Sequence, residues 1–396
     1  MSTGSGRTFG NGSASASRQP LRILVVEDYV PDATLGSGYG RMIDTITELQ
    51  RAGDVTVALY PTLGASDEPR VGPKGIEVLR GPLERHLQVL EARGGAYDLV
   101  IVSRPHNYEL VAPILAELLP GVPVIYDAEA LYFRRLERQA KLADGAVRVK
   151  LLKEAAEMRH LEERIAAEAD AVVCISEEEA DLLTRHARRT VVVNGPLLAH
   201  ATWTDEDFPH RKGVGFVAGW SAGPRSPNVD GLKWFARHVW PRVLARVPSA
   251  ELVVTGSEPP PEVRRFSSGS IRFAGVIPDL GRFYAGLRLA VVPIRYGSGV
   301  KLKAVEALQS GVPTVATAVG AEGIPTDVAD LIPVADDPRE FADLVALLLE
   351  DEEVWKAQRE LLFEQCRIWE EHPQMSIWPR LVSHLVGASG RGGFHV

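Results

Sequence analysis

Between Pro293 and Ile324 the chain reads PIRYGSGVKLKAVEALQSGVPTVATAVGAEGI. Gly297 and Gly299 follow a strand-like run and precede a helical run whose Leu302, Val305 and Leu308 share one face. The free N–H groups at such a helix start, together with the positive end of its dipole, suit an anionic phosphate. Lys301 falls in the first turn, where a cation opposes the dipole by a few tenths of a kcal/mol, roughly, unless an anion is bound there. A sequence shaped for stability alone would put an acid at that point, so the conflict itself argues for a phosphate. Lys303 and Glu306, three residues apart, also admit a plainer reading as a surface ion pair worth about 0.3 kcal/mol.

Other polar groups fall at the ends of apolar runs. GSGYGR places Gly36, Ser37, Gly38 and Gly40 between the run RILVVE and a helix. Backbone can approach a ligand closely there, and a plain tight turn fits equally well. The segment lacks the Gly-Lys-Ser/Thr ending of an ATPase loop and the three-glycine dinucleotide fingerprint. Glu27 and Asp28 end the first strand as the acid pair of a magnesium-binding receiver would, but Ser103 stands where that reading needs an aspartate. They belong instead to the rim where open α/β sheets bind ligands. His106 follows YDLVIVS, and Asp127, Glu129 and Arg134 follow VPVIYD, so adjacent strand ends bring a histidine and two carboxylates together. A lone loop histidine is also commonly just solvated.

Short apolar runs alternating with helix-period segments must position these groups, which argues for parallel sheets wrapped by helices. RILVVE, DVTVALY, YDLVIVS, VPVIYD, AVVCIS and RTVVVN form one set of strands; GVGFVAG, AELVVTG, SIRFAGV, LAVVPI, VPTVAT and DLIPVA form a second. In GRMIDTITELQRAG, Met42, Ile43, Ile46 and Leu49 make one apolar stripe that Gly53 terminates. The charged stretch 134–168 reads as a long exposed helix or helical pair with a solvated face. Ser176 with Glu179 reads as a capping box. The expected division is a disordered leader over 1–20, a first domain over 21–195, a linker over 196–211 and a second domain over 212–365. A C-terminal helix over 366–386 and a disordered tail over 387–396 complete it.

Composition narrows the classes. Of 396 residues 45% are hydrophobic and 24% charged, with a net charge of −8, so no chain-wide basic footprint of a nucleic-acid binder exists. Cys174 and Cys366 lie far apart and outside metal or redox spacings, which fits a reducing cytoplasm. No apolar run reaches the roughly 18 residues of a spanning helix, and no basic amphipathic face is evident from which membrane association could be inferred.

From Leu21 to Leu385, and most specifically over Gly213–Gly323, the chain resembles the bacterial family-4-like retaining glycosyltransferases of the GT-B fold. The resemblance is carried by FVAGWSAGPRSPNVDGLKWF, by AELVVTG, and by FAGVIPDL followed by PIRYGSGVKLKAVEALQSGVPTVATAVGAEGI. It implies two Rossmann-like domains whose parallel sheets face each other across a cleft. It also implies a nucleoside diphosphate sugar as donor, a hydroxyl-bearing acceptor and no metal or other cofactor. Lys301 and Arg225 would clamp the diphosphate, with help from the amides of Gly299 and Val300. Glu306 would take the ribose, Val276 and Ile277 the base, and His106 the sugar. Gly36, Ser37 and Gly38 would approach from the opposite domain, while Asp127, Glu129 and Arg134 would face the acceptor. Many relatives carry two glutamates around this loop; here the first is Ser298, which opens the identity of the donor sugar. A nucleotide-sugar epimerase, a pseudo-transferase or a non-catalytic binding subunit would share the same architecture.

Overall fold

The computed structural model describes residues 20–32, 37–51, 53, 55–63, 74–195, 207–220, 223–324, 328, 330–371 and 376–388. The first lobe is built on seven parallel strands: β1 (Leu21–Glu27), β2 (Val55–Pro61), β3 (Glu77–Val78), β4 (Leu99–Ser103), β5 (Val124–Asp127), β6 (Ala171–Cys174) and β7 (Thr190–Val193). Their order is β3-β2-β1-β4-β5-β6-β7. β4 shows why such runs are apolar throughout: Leu99 and Ile101 enter the core on one face of the sheet, Val100 and Val102 the core on the other. A strand covered on both sides has no solvent face on which to place polar residues. The two-residue β3 is an addition to the strands expected.

The helices of this lobe are α1 (Ser37–Arg51), α2 (Leu83–Ala92), α3 (Pro105–Leu118), α4 (Tyr132–Lys141), α5 (Gly145–Glu168) and α6 (Glu177–Thr184). Met42, Ile46 and Leu49 of α1 are buried as the stripe demands, while Ile43 is half-buried. The charged stretch forms the pair α4 and α5.

The second lobe carries β8 (Val214–Val217), β9 (Leu252–Thr255), β10 (Ile271–Gly275), β11 (Leu289–Val292) and β12 (Thr314–Ala316), in the order β10-β9-β8-β11-β12. DLIPVA contributes a single parallel bridge, Ala316 to Val334, rather than a sixth strand. Around the sheet lie α7 (Pro227–Trp234), α8 (Trp240–Arg246), α9 (Pro261–Arg264), α10 (Leu280–Gly286), α11 (Leu302–Gln309), α12 (Ala318–Ala321), α13 (Pro338–Glu350) and α14 (Glu352–Glu371). α7 starts where the Ser226 hydroxyl accepts the Asn228 N–H at 3.2 Å, with Pro227 in the first turn.

Two placements differ from the expected boundaries. Residues 207–211, assigned to the linker, pack on the second lobe: Phe208 meets Trp355 edge-on, and Arg211 is fully buried beside Leu287. The return to the first lobe is made by α15 (Trp378–Ala388). Its Trp378, Leu381, Val382, Leu385 and Val386 share a core with α1 and β4. The leader, most of the linker, Gly36 and residues 389–396 lie outside the described residues.

In each sheet two neighbouring strands, β1 with β4 and β8 with β11, lead away in opposite directions. Crevices open at the carboxyl ends of such pairs, and ligands bind there.

Candidate active site

In the second lobe, the segment 293–301 runs from the carboxyl end of β11 to the start of α11. The Thr317 hydroxyl donates to the Ile294 carbonyl, and the Tyr296 hydroxyl to the Arg225 carbonyl at 2.6 Å. Arg295 forks onto Asp230 of α7 at 2.9 and 2.6 Å. The helix comes close because residue 231 is glycine: a Cβ there would lie 2.5 Å from the Pro293 carbonyl oxygen. The loop is thus fixed by neighbours on three sides, the rigid support that an anion cradle needs.

Lys301 lies just before α11 rather than in its first turn. Its side chain is 9% exposed; Nζ donates to the Gly299 carbonyl at 2.6 Å and lies 3.4 Å from Glu322 Oε2. Burial lowers its pKa to about 8, with Glu322 opposing the fall. Lys303 and Glu306 do not form the surface ion pair either. Lys303 donates to Asn228 Oδ1 and lies over the Phe216 ring at 4.9 Å, and Glu306 shares a hydrogen bond with the Tyr284 hydroxyl. Burial moves both toward neutrality, Lys303 down to about 7 and Glu306 up to about 7.

At the carboxyl ends of the first sheet, Arg104 sits at φ 71, a left-handed value unusual for a side-chain-bearing residue. This strained turn sends the guanidinium back over the sheet. There it bonds Glu27 and Asp28, donates to Glu129 Oε2 at 2.6 Å and lies over the Tyr39 ring at 4.8 Å. His106 Nε2 is 2.6 Å from Asp28 Oδ1, which also accepts from Asn107 at 2.9 Å. Burial pushes the Asp28 carboxyl up, but the His106 hydrogen bond and the Arg104 charge bring it below its usual value. Asp127 is fully buried and paired with Arg41 at 2.7 Å, so it supports the strand end and presents no surface to an acceptor.

The lobes meet at these loops around a half-open cavity of about 250 Å³. Glu129, Tyr132 and Arg135 line it from the first lobe; Asn228, Gly297, Ser298, Val300, Lys301 and Lys303 line it from the second. Gly299 N–H donates to Glu179 Oε1 of α6 at 2.8 Å, so this amide is already matched to a carboxylate. Gly299 has φ 67, and a Cβ there would lie 3.1 Å from that of Ala130. Arg138 of α4 donates to the Gly297 carbonyl at 2.8 Å and forks onto Glu322, which Arg134 also reaches at 2.9 Å.

Of the expected residues, Glu129, Ser298, Val300 and Lys301 line this cavity. Arg225 is exposed at the end of the short turn Gly223–Arg225. Val276, 57% exposed, and Ile277 follow β10 at the outer edge of the sheet. Ser37 and Gly38 open α1.

The family model described as Glycosyl transferases group 1 matches residues 212–351, and that described as Glycosyl transferase 4-like domain matches residues 37–196. The chain is a family-4-like group 1 glycosyltransferase. A Klebsiella pneumoniae protein, described as an uncharacterized 44.6 kDa protein in cps region, is 27% identical over 124 residues. That match covers 29% of this chain and 32% of the relative, about a third of its length. Sucrose-phosphate synthase from Thermosynechococcus elongatus has the same fold over 94% of this chain and 98% of its own, at 17% identity and a TM-score of 0.66. A mutant of S. aureus TarM, in complex with fondaparinux, alpha-GlcNAc-glycerol and UDP, matches 77% of this chain and 58% of its own, at 12% identity and a TM-score of 0.54. The architecture of this glycosyltransferase is GT-B: two parallel-sheet α/β lobes of seven and five strands.

Sequence reasoning missed Arg104, Glu179 and Glu322 of the glycosyltransferase. Arg104 sits between the end of β4 and His106, and no local spacing marks it as a functional group. Glu179 was absorbed by the capping box, of which only half forms: Ser176 Oγ accepts the Glu179 N–H at 3.3 Å. The Glu179 carboxylate turns instead to the Leu131 and Gly299 amides.

Proposed function

We propose that this glycosyltransferase takes a nucleoside diphosphate sugar as donor and transfers the sugar, with retention and without a metal, to a hydroxyl of a glycan, lipid-linked or small-molecule acceptor. One observation carries the reading: Lys301 at the end of the glycine loop and Lys303 in the first turn of α11, both with pKa values lowered by burial, face Glu129, Tyr132 and Arg135 of the other lobe across a half-open cavity. Ammonium groups held partly out of water are costly, and a diphosphate supplies charge that stabilises them. The UDP bound to the structurally similar TarM supports the same view.

In this reading Lys301, with Lys303 and Arg225, takes the charge that develops on the departing diphosphate. Val300 and Ser298 border the phosphates or sugar, Glu306 the ribose, Val276 and Ile277 the base. Gly36, Ser37 and Gly38 approach from the other lobe. His106, held by Asp28, contacts the sugar, and Glu129 with Arg135 forms the acceptor wall. The bond from the anomeric carbon to the diphosphate oxygen breaks while the acceptor oxygen bonds that carbon from the same face. The acceptor proton passes to the leaving phosphate oxygen, so no side-chain nucleophile is needed.

The test is a panel of nucleotide sugars, each followed for release of nucleoside diphosphate by chromatography and for thermal stabilisation of the protein. Lys301→Ala should lower turnover at least about tenfold. Turnover equal to wild type would remove Lys301 from the reaction.

A further inference from the structure

Glu322, in the turn after α12, belongs to none of the roles above. Its Oε1 lies 2.6 Å from Arg138 Nη2 and 2.9 Å from Arg134 Nη2. Its Oε2 accepts from Arg138 Nη1 and lies 3.4 Å from Lys301 Nζ. Three cations therefore share one carboxylate that is 7% exposed, two from α4 of the first lobe and one from the glycine loop of the second. The turn that carries it is pressed on the same loop: a Cβ on Gly323, at φ 74, would lie 2.7 Å from Val300 Cγ2.

Lysine has a flexible four-carbon stem and does not hold one direction unless something holds it. Among the described residues the only ion-pair partner of Lys301 is Glu322. Arg138 forks onto the same carboxylate and Arg134 shares it with Glu178, so Glu322 orients the ammonium while its charge is divided among three cations. We propose that Glu322 is a positioning residue of the transfer site, aiming Lys301 at the donor diphosphate and coupling that aim to the approach of α4. The inference rests on the transfer reaction proposed above. It makes lobe closure and placement of the leaving-group cation one event: separating the lobes takes Arg134 and Arg138 away from Glu322, which is then free to draw Lys301 off the cavity.

The groups facing Lys301 are Glu322 and Glu179, which favour its charge, and Arg138 and Lys303, which oppose it, with Glu129 and Arg135 lining the same cavity. Removing the Glu322 charge makes Lys301 lose its proton at lower pH. Glu322→Gln is therefore expected to move the alkaline limb of kcat/KM to lower pH by at least about one unit. It should also lower kcat about tenfold while the acceptor KM holds. Glu322→Asp, which keeps the charge, should leave the limb in place. Should the loss of this carboxylate unfold Glu322→Gln, the double variant Glu322→Gln with Arg134→Gln removes one charge of each sign, leaves Arg138 in place and carries the same pH reading. An unmoved limb and unchanged kcat in an active enzyme would overturn the role of Glu322 alone. A wild-type protein that releases nucleoside diphosphate from no nucleotide sugar would overturn the transfer reaction and this role with it.

Discussion

Lys303→Met keeps the length of a buried side chain and removes its ammonium. Burial lowers the Lys303 pKa from 10.5 to about 7, with the Glu306 charge opposing the fall, and its hydrogen-bond partner is the neutral Asn228. Holding an ammonium that far below its usual value costs on the order of 5 kcal/mol at most. Part of the side chain keeps water contact, which reduces the cost to about 2 kcal/mol. The unfolded chain binds the proton between pH 7 and 10.5 while the folded chain does not, so stability should rise through that window as the cost is relieved. Glu306, raised from 4.5 to about 7, has the opposite effect: its protonated folded form is favoured at low pH, and stability falls from pH 4.5 to 7. The wild-type curve should therefore dip near neutrality. Urea unfolding at several pH values should show Lys303→Met to be more stable than wild type by about 2 kcal/mol at pH 7. Its rise above pH 7 should be smaller, the remainder coming from Lys301 above pH 8. The same variant should lose most of the stabilisation that nucleoside diphosphate gives the wild type. A variant less stable than wild type at every pH, with the slope intact, would refute the view that this ammonium is held for a substrate anion.

Two further substitutions test the scaffold. Gly231→Ala drives a Cβ to 2.5 Å from the Pro293 carbonyl oxygen, a rigid backbone atom, and should cost about 1–3 kcal/mol in urea unfolding; an unchanged midpoint would mean that α7 does not fix the glycine loop. Trp378→Ala empties a fully buried site between α15 and the first sheet and should cost about 3–5 kcal/mol. A thermal melt identical to wild type would mean that α15 is not docked.

The two sheets were legible because buried parallel strands are written as continuous apolar runs, and RILVVE or YDLVIVS has few other uses. The glycine loop was legible because Lys301 contradicts the helix it precedes. β3 escaped because two residues carry no period. The pairing of polar groups was not legible at all: Arg138 meets Glu322 across 184 residues of sequence, and Arg104 meets Glu27 across 77. No local pattern records such distances, and the left-handed turn at Arg104 follows from its neighbours rather than its residue type. Where a local rule did apply it misled, as when Glu179 satisfied the spacing of a capping box and bonded the opposite lobe.

The chain visits the first lobe, then the second, and then returns to complete the first with α15. Neither half of the gene therefore encodes a self-sufficient body. A fragment ending near residue 195 would present the greasy underside of α1 and β4 to solvent, and would need the segment 376–388 supplied as a separate peptide to become soluble. The same backtracking makes the chain cross between the two bodies twice, so cutting one crossing leaves them joined by the other.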